Sequence, residues 1–410
     1  MRALSSTVLT AFLLTSLVAC GGGGSGSDTV IGATPPLLVA STLTQREVIP
    51  PSGSAATGEA NFAVNLDDDS LSGDVVLTAL QASAVDIRDS FAGEKGTLVL
   101  ALEQGVDASQ WRVPDGTQLT VGDLSRLQSG ALYVAATGVG PEIDIRGQLI
   151  PSGVDLMLAD MTGSQEVPAL QVASSGVAAM TVDTATRVAQ MHVNVIDTAS
   201  PVIAAHMHQA FAGDNGGVEV GLQEDMMTMA GDPAHWFATD VQLTDAQYQR
   251  LRRGESYFNA HTPNHPGGEV RGQIIPPDIE LFFDDLSGLQ VVGDGITISA
   301  VNTTASAKAS TTVDTAAQSI TVYVNTTELD DANAVALHQA PEGQNGPAVA
   351  TFVEEPDDDD PDDGVTRRWT LADLMLTLAE HTAFRNQLLY AKVATPTFPV
   401  GEVRGQLLPP

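Results

Sequence analysis

The sequence has one cysteine, Cys20, in 410 residues. A single thiol cannot close a disulfide within the chain, so the fold must hold without covalent staples. Basic residues are also scarce: 18 Lys and Arg stand against 51 Asp and Glu, for a formal charge of −33. Such a field repels phosphate backbones and anionic lipid heads, which argues against nucleic acid as a partner. It suits a secreted protein in a saline or cation-rich medium. Aromatics make up only 5 % of residues, and there are eight histidines. The one long apolar run lies at the N-terminus, and it is too short for a comfortable membrane span. Against this background two stretches stand out, "AAHMHQAFAGDNGG" and "SYFNAHTPNHPGGEVRGQI", which hold four of the histidines.

The N-terminal run, "MRALSSTVLTAFLLTSLVAC", has an early positive charge at Arg2, an apolar stretch and a small-residue end. Its close, Leu17-Val18-Ala19-Cys20, resembles a bacterial lipobox. That resemblance implies removal of residues 1–19 as a signal peptide and lipidation of Cys20. Residues 20–35, Gly- and Ser-rich, then read as a flexible tether. Gly21 follows the cysteine where an inner-membrane retention signal would place Asp, so the expected address is the outer membrane. With Cys20 modified, no thiolate remains for metal binding or catalysis.

Length alone allows about two to four domains, and internal repeats decide the number. "IDIRGQLIP", "GEVRGQIIP" and "GEVRGQLLP" are three copies of one ending, marked by Arg146, Arg271 and Arg404. The beginnings "LTQREVIP", "MTGSQEVPAL" and "LSGLQVVG" also match. Between them, "TGEANFAVNLDDDSLSGDVVL", "SGVAAMTVDTATRVAQMHVNV" and "ASAKASTTVDTAAQSITVYVN" alternate around an Asp-containing turn, a hairpin signal. "LTVGDLSRLQSG", "LTDAQYQRLRRG" and "WTLADLMLTLAEH" carry a capping Thr and helical spacing. The spacing predicts three units, 36–151, 154–276 and 279–410, each an all-β sandwich with one short helix.

"TGSQEVP", then "AAHMHQAFAGDNGG", then "LRRGESYFNAHTPNHPGGEVRGQI" resemble the CHRD (chordin) domain. The middle unit matches end to end; the first and third match the frame as degenerate copies. The resemblance implies an extracytoplasmic Greek-key β-sandwich, here in tandem. In chordin such domains belong to an antagonist of secreted growth factors, and no settled role of bacterial members carries over.

Alternation along a strand places His206 and His208 on one face and Met207 on the other. His261 lies in another strand of the same unit, with His265 four residues on in a Pro- and Gly-rich turn. His206, His208 and His261 are therefore candidate metal ligands, with His265 as a fourth ligand or a neighbour. An imidazole set without thiolate suits Cu(II), Zn(II) or Ni(II). Met207, Met226, Met227 and Met229 favour copper slightly through nearby sulfur. The first unit has Asp86, Arg88 and Ala136 at the matching places, and the third has Ala336, His338 and Ala394. The loss is concerted, which confines the site to the middle unit. His192, His235 and His381 read as structural or surface residues.

Glu269 with Arg271, Glu402 with Arg404 and Asp144 with Arg146 recur in every unit, so they are expected to be structural ion pairs and not catalytic groups. Gly147, Gly272 and Gly405 point to a close backbone approach or a bulge. "EEPDDDDPDDG" (354–364) lacks the order of a calcium loop and reads as a solvated insertion. "GDNGG" and "GQNGP" open no helix, so they read as turns.

The sequence thus predicts a lipid-anchored, non-enzymatic cell-envelope protein with copper or zinc in its middle domain. The alternative is a metal-free structural or adhesive surface protein that binds an extracellular protein or glycan. The His-x-His strand also invites comparison with copper–zinc superoxide dismutase. That family's fuller ligand set and disulfide are missing, and no triad or carboxylate pair stands out, so catalysis is not expected.

Overall fold

The computed structural model describes residues 34–140, 142–227, 232–293, 300–355 and 367–409. The signal segment, Cys20, Met229 and most of the acidic insertion lie outside the described residues. Among the described residues no helix is long and apolar enough to cross a membrane.

Each unit opens on a long strand, Leu37–Leu43, Val154–Thr162 or Ile279–Ser287. That strand pairs antiparallel with the first arm of a hairpin. The hairpins are Thr57–Asn65 with Ser70–Thr78, Ser175–Asp183 with Val188–Ile196, and Ser306–Asp314 with Ser319–Thr327. Their turns end on a residue at positive φ: Asp69 at 57°, Arg187 at 62° and Gln318 at 57°. In the second turn the Asp183 carboxylate accepts from the N–H groups of Ala185 and Thr186, at 2.9 and 2.7 Å. This is the local bonding that makes Asp a turn residue.

The chain then crosses to a second layer. There Ala84–Asp89, Ala204–His208 and Ala334–Gln339 pair with Leu132–Thr137, Tyr257–His261 and Leu389–Ala394. The closing strands Ile145–Gln148, Val270–Gln273 and Val403–Gln406 carry the repeated ending. Among the described residues, every strand of the second and third units joins one nine-stranded sheet that wraps round two layers; those of the first separate into sheets of six and four. The two crossings between layers make each unit a Greek-key sandwich.

One short helix per unit carries the chain back: Val121–Gln128, Asp245–Arg252 and Leu378–Arg385. Thr120, Thr244 and Thr377 cap them. In the third unit the sequence pattern began too early, because "WTLADLM" belongs to the strand Arg367–Met375. Trp369 is fixed there by pairing with Val324, and the helix waits for the Thr377–Glu380 capping box.

Each unit has its own apolar core. A fourth cluster, Ile49 and Ala92 against Val177 and Ala179, joins the first unit to the second. The hairpin arms register this contact. Thr57–Asn65 alternates buried and exposed, as a half-solvated strand should, whereas seven consecutive residues of Ser175–Asp183 are buried. The outer face of the second hairpin is covered by the Gly-rich turn of the first unit, and the third is covered by the second in the same way. Asn194 donates its side-chain amide to Ala92 O at 3.0 Å, and Asn325 donates to Gly213 O at 2.7 Å.

Candidate metal centre

The strand Ala204–His208 runs antiparallel to Tyr257–His261, with Ala204 opposite His261 and His206 opposite Asn259. Alternation puts Met207 into the core, fully buried, and turns His206 and His208 to the other face. His261 lies diagonally across from His206, close enough for their rings to meet at 4.9 Å between centroids. One ring nitrogen from each of His206, His208 and His261 lies within 4.8 Å of the other two.

Hydrogen bonds fix two of the three tautomers. His208 Nδ1–H donates to Gly216 O at 2.9 Å, and His261 Nδ1–H donates to Pro266 O at 2.9 Å. Both Nε2 atoms are thereby left with a bare lone pair. His208 Nε2 is buried and has no hydrogen-bond partner. His206 Nδ1 lies 3.0 Å from His261 Nε2 and donates to it. Moving that proton to Nε2 of His206 frees a third lone pair facing the other two. Imidazoles anchored through one nitrogen to a carbonyl, with the other nitrogen bare, are arranged as metal-binding histidines are. Tetrahedral Zn–N bonds of about 2.0–2.1 Å set nitrogens about 3.3 Å apart, within reach of this cluster. Burial pushes His208 down to about 4, and it also lowers His206 and His261, so all three are neutral at pH 7.

His265 does not join them. It lies half-buried in the turn after the strand, where its N–H bonds Thr262. Sulfur does not adjoin the cluster through Met207, and Met226 and Met227 are exposed in the turn beside Asp225.

The expected ion pairs also do not form. Glu269 accepts from the hydroxyls of Ser174 and Thr262. Glu402 accepts from Thr303 and Thr395, and Asp144 from the N–H of Gly138. Arg271 instead lies 3.6 Å from the Tyr257 ring centroid and donates to the carbonyls of Phe211 and Asp214. Residues i and i+2 are about 7 Å apart along a strand, and here acid and base lean apart to nearer partners. The arginine is still a frame residue, since it ties the Gly-rich turn to the closing strand.

A family model described as the CHRD domain matches residues 39–149, 157–274 and 282–407. The chain belongs to the CHRD-domain family. No curated protein and no solved structure matches it.

Superposed by strand register, the three CHRD domains show what is particular to the middle one. His208 corresponds to His338, which likewise donates to a turn carbonyl, Gly346 O at 3.0 Å, and stacks on Tyr390. One histidine of the set thus has a framework role even where its companions are absent. In the first domain Asp86 and Arg88 occupy the places of His206 and His208 and form an ion pair at 3.0 Å. The counterpart of His261 is Thr137, since Ala84 pairs with Thr137 as Ala204 pairs with His261. Ala136, the counterpart expected from the sequence, pairs with Val85 one residue away. The third domain has Ala394 there, paired with Ala334.

His192 and His235, which read separately in the sequence, meet in the structure with Glu94 of the first domain. Both histidines read alone as surface or structural residues because their third partner lies in another repeat. The visible signal was the spacing of His192 and His235 on adjacent strands of one sheet.

Proposed function

We propose that this is a lipid-anchored, non-enzymatic CHRD protein of the cell envelope whose middle domain holds one copper or zinc ion on His206, His208 and His261. The reading rests chiefly on the buried, bare Nε2 of His208, whose other nitrogen is committed to Gly216 O. The anchor is Cys20, and the outer membrane is its expected site. When bound, the ion offers a Lewis-acidic centre, and the protein's part is to orient three neutral imidazoles towards it.

The adhesive alternative calls for an apolar patch repeated on all three domains. Exposed Leu98 and Val218 correspond by register, but the third domain has Ala348 there. Exposed Val121 and Leu378 open helices, but the middle helix opens with Asp245. Among the described residues, neither set recurs in all three domains.

Calorimetric titration of the metal-stripped full chain with Cu(II) or Zn(II) tests it. The variant carrying His206→Ala, His208→Ala and His261→Ala should lose one binding event present in the parent. Identical isotherms would refute the site.

A further inference from the structure

The first joint between domains contains a second constellation of metal-ligand type. Glu94 projects from the Gly-rich turn of the first domain. His192 and His235 lie on neighbouring strands of the middle domain, where His235 pairs with Asn194. Glu94 Oε1 is 3.1 Å from His192 Nδ1 and 2.8 Å from His235 Nε2, and the two nitrogens are 3.1 Å apart. These three atoms form a nearly equilateral triangle, close to the edge of about 3.3 Å that tetrahedral zinc requires.

The surroundings complete the pattern. The far nitrogen of His235, Nδ1, lies 3.0 Å from Asp225 Oδ2, a carboxylate–histidine arrangement that orients a ligating imidazole. The Phe91 ring stacks on His192 at 3.8 Å and fixes its plane. The His192 and His235 side chains are 9 and 11 % exposed, so the site is largely dry.

The second joint shows what the first lacks. Register aligns Glu94 with Asp214, His192 with Tyr323 and His235 with Arg368. At that joint Arg368 meets the Asp214 carboxylate at 2.7 Å and Tyr323 faces Phe211. The carboxylate there is neutralised by a permanent cation. At the first joint the same place holds two imidazoles and no permanent cation, so a cation can be taken up there. A proton on His235 is one such cation, but two donors must then converge on a single oxygen.

We propose that Glu94, His192 and His235 bind a divalent transition metal, zinc foremost, which clamps the first CHRD domain to the second. Two imidazoles and one carboxylate are a zinc donor set. Asp225 acts on His235 as an orienting residue. This site is independent of the three-histidine cluster and can stand if that one fails.

Zinc titration of the metal-stripped full chain tests it, using four proteins: the parent, Glu94→Gln/His235→Asn, the His206/His208/His261 triple-alanine variant, and the two combined. The expected stoichiometries are two, one, one and none. Zinc should also slow hydrogen exchange of residues 91–96 and 234–238 in the parent and the triple variant, but not where Glu94 and His235 are replaced. Glu94→Gln alone serves as a gentler variant if the double one unfolds, and it should weaken zinc at least tenfold. A triple variant that binds no zinc, or one whose zinc is unaffected by Glu94→Gln, would overturn the joint site. Loss of the three-histidine site alone would show instead as a parent that binds one zinc, retained in the triple variant.

Discussion

At the residue scale, His208 joins two roles. Its Nδ1–H ties down the Gly-rich turn, as His338 does in the third domain, and its Nε2 is left facing His206 and His261. The burial that bares this nitrogen also makes protonation costly in the folded chain. Its folded pKa is about 4, against 6.5 for a free imidazole. Between those values the unfolded chain binds more protons, so this contribution to stability is lost as pH falls through the window. Glu166 acts in the opposite sense: burial raises it to about 8, and its contribution fades as pH rises from about 4.5 to that value. A difference measurement isolates the histidine. In urea unfolding of metal-free protein, the stability of the parent relative to His208→Gln should fall as pH is lowered from 7 to 4. A pH-independent difference would mean that His208 protonates as readily folded as unfolded. His206, His208 and His261 could be read from the sequence because strand alternation is a local rule. The partners of Arg146, Arg271 and Arg404 could not. A fully buried guanidinium takes whatever acceptors surround it, and here those are turn carbonyls brought in by the fold.

At the element scale, most of the architecture was open to a reader of the sequence. Asp183 and Asp314 marked hairpin turns, and the alternation on either side fixed which residues face the core. The helix of the third domain was misplaced because Leu371 and Leu374 mimic helical spacing within a bulged strand. The first domain's counterpart of His261 is also one residue from its expected place, Thr137 and not Ala136, a shift that reverses every side chain on a strand. The middle helix illustrates capping that sequence does reveal. Thr244 Oγ1 accepts from Gln247 N–H at 3.2 Å, and Gln247 Oε1 accepts from Thr244 N–H at 2.9 Å. Thr244→Ala should cost about 1 kcal/mol, seen as a lower urea midpoint for the middle domain. Metal content should not change, because the hydrogen bonds of the three histidine rings go to one another, Gly216 and Pro266 and not to the helix. A loss of metal in that variant would tie the helix to the site.

At the scale of the whole molecule, the joints are the part that sequence concealed. Their only trace is compositional: the outward positions Glu59 and Asn61 of the first hairpin become Val177 and Ala179 in the second. Each joint depends on a glycine at positive φ. At Gly93, φ is +87° and an added Cβ would lie 2.8–3.0 Å from the Asn194 side chain. Gly93→Ala should therefore destabilise the joint by about 1–3 kcal/mol. Trp111, Trp236 and Trp369 give one buried reporter per domain. With single-tryptophan versions, the first domain's transition should separate from the second's in Gly93→Ala. It should not separate in the control Gly217→Ala, where an added Cβ has open space. Coincident transitions in both would show that the close approach at Gly93 does not couple the domains.

The central claim is that the middle CHRD domain carries a metal on His206, His208 and His261. Its most direct test is elemental mass spectrometry of the full chain, purified without a histidine tag, beside the triple-alanine variant. The account predicts near-stoichiometric copper or zinc in the parent that the variant lacks by about one equivalent per chain. Equal metal content in the two proteins would contradict it, leaving the three histidines as framework residues of the sandwich.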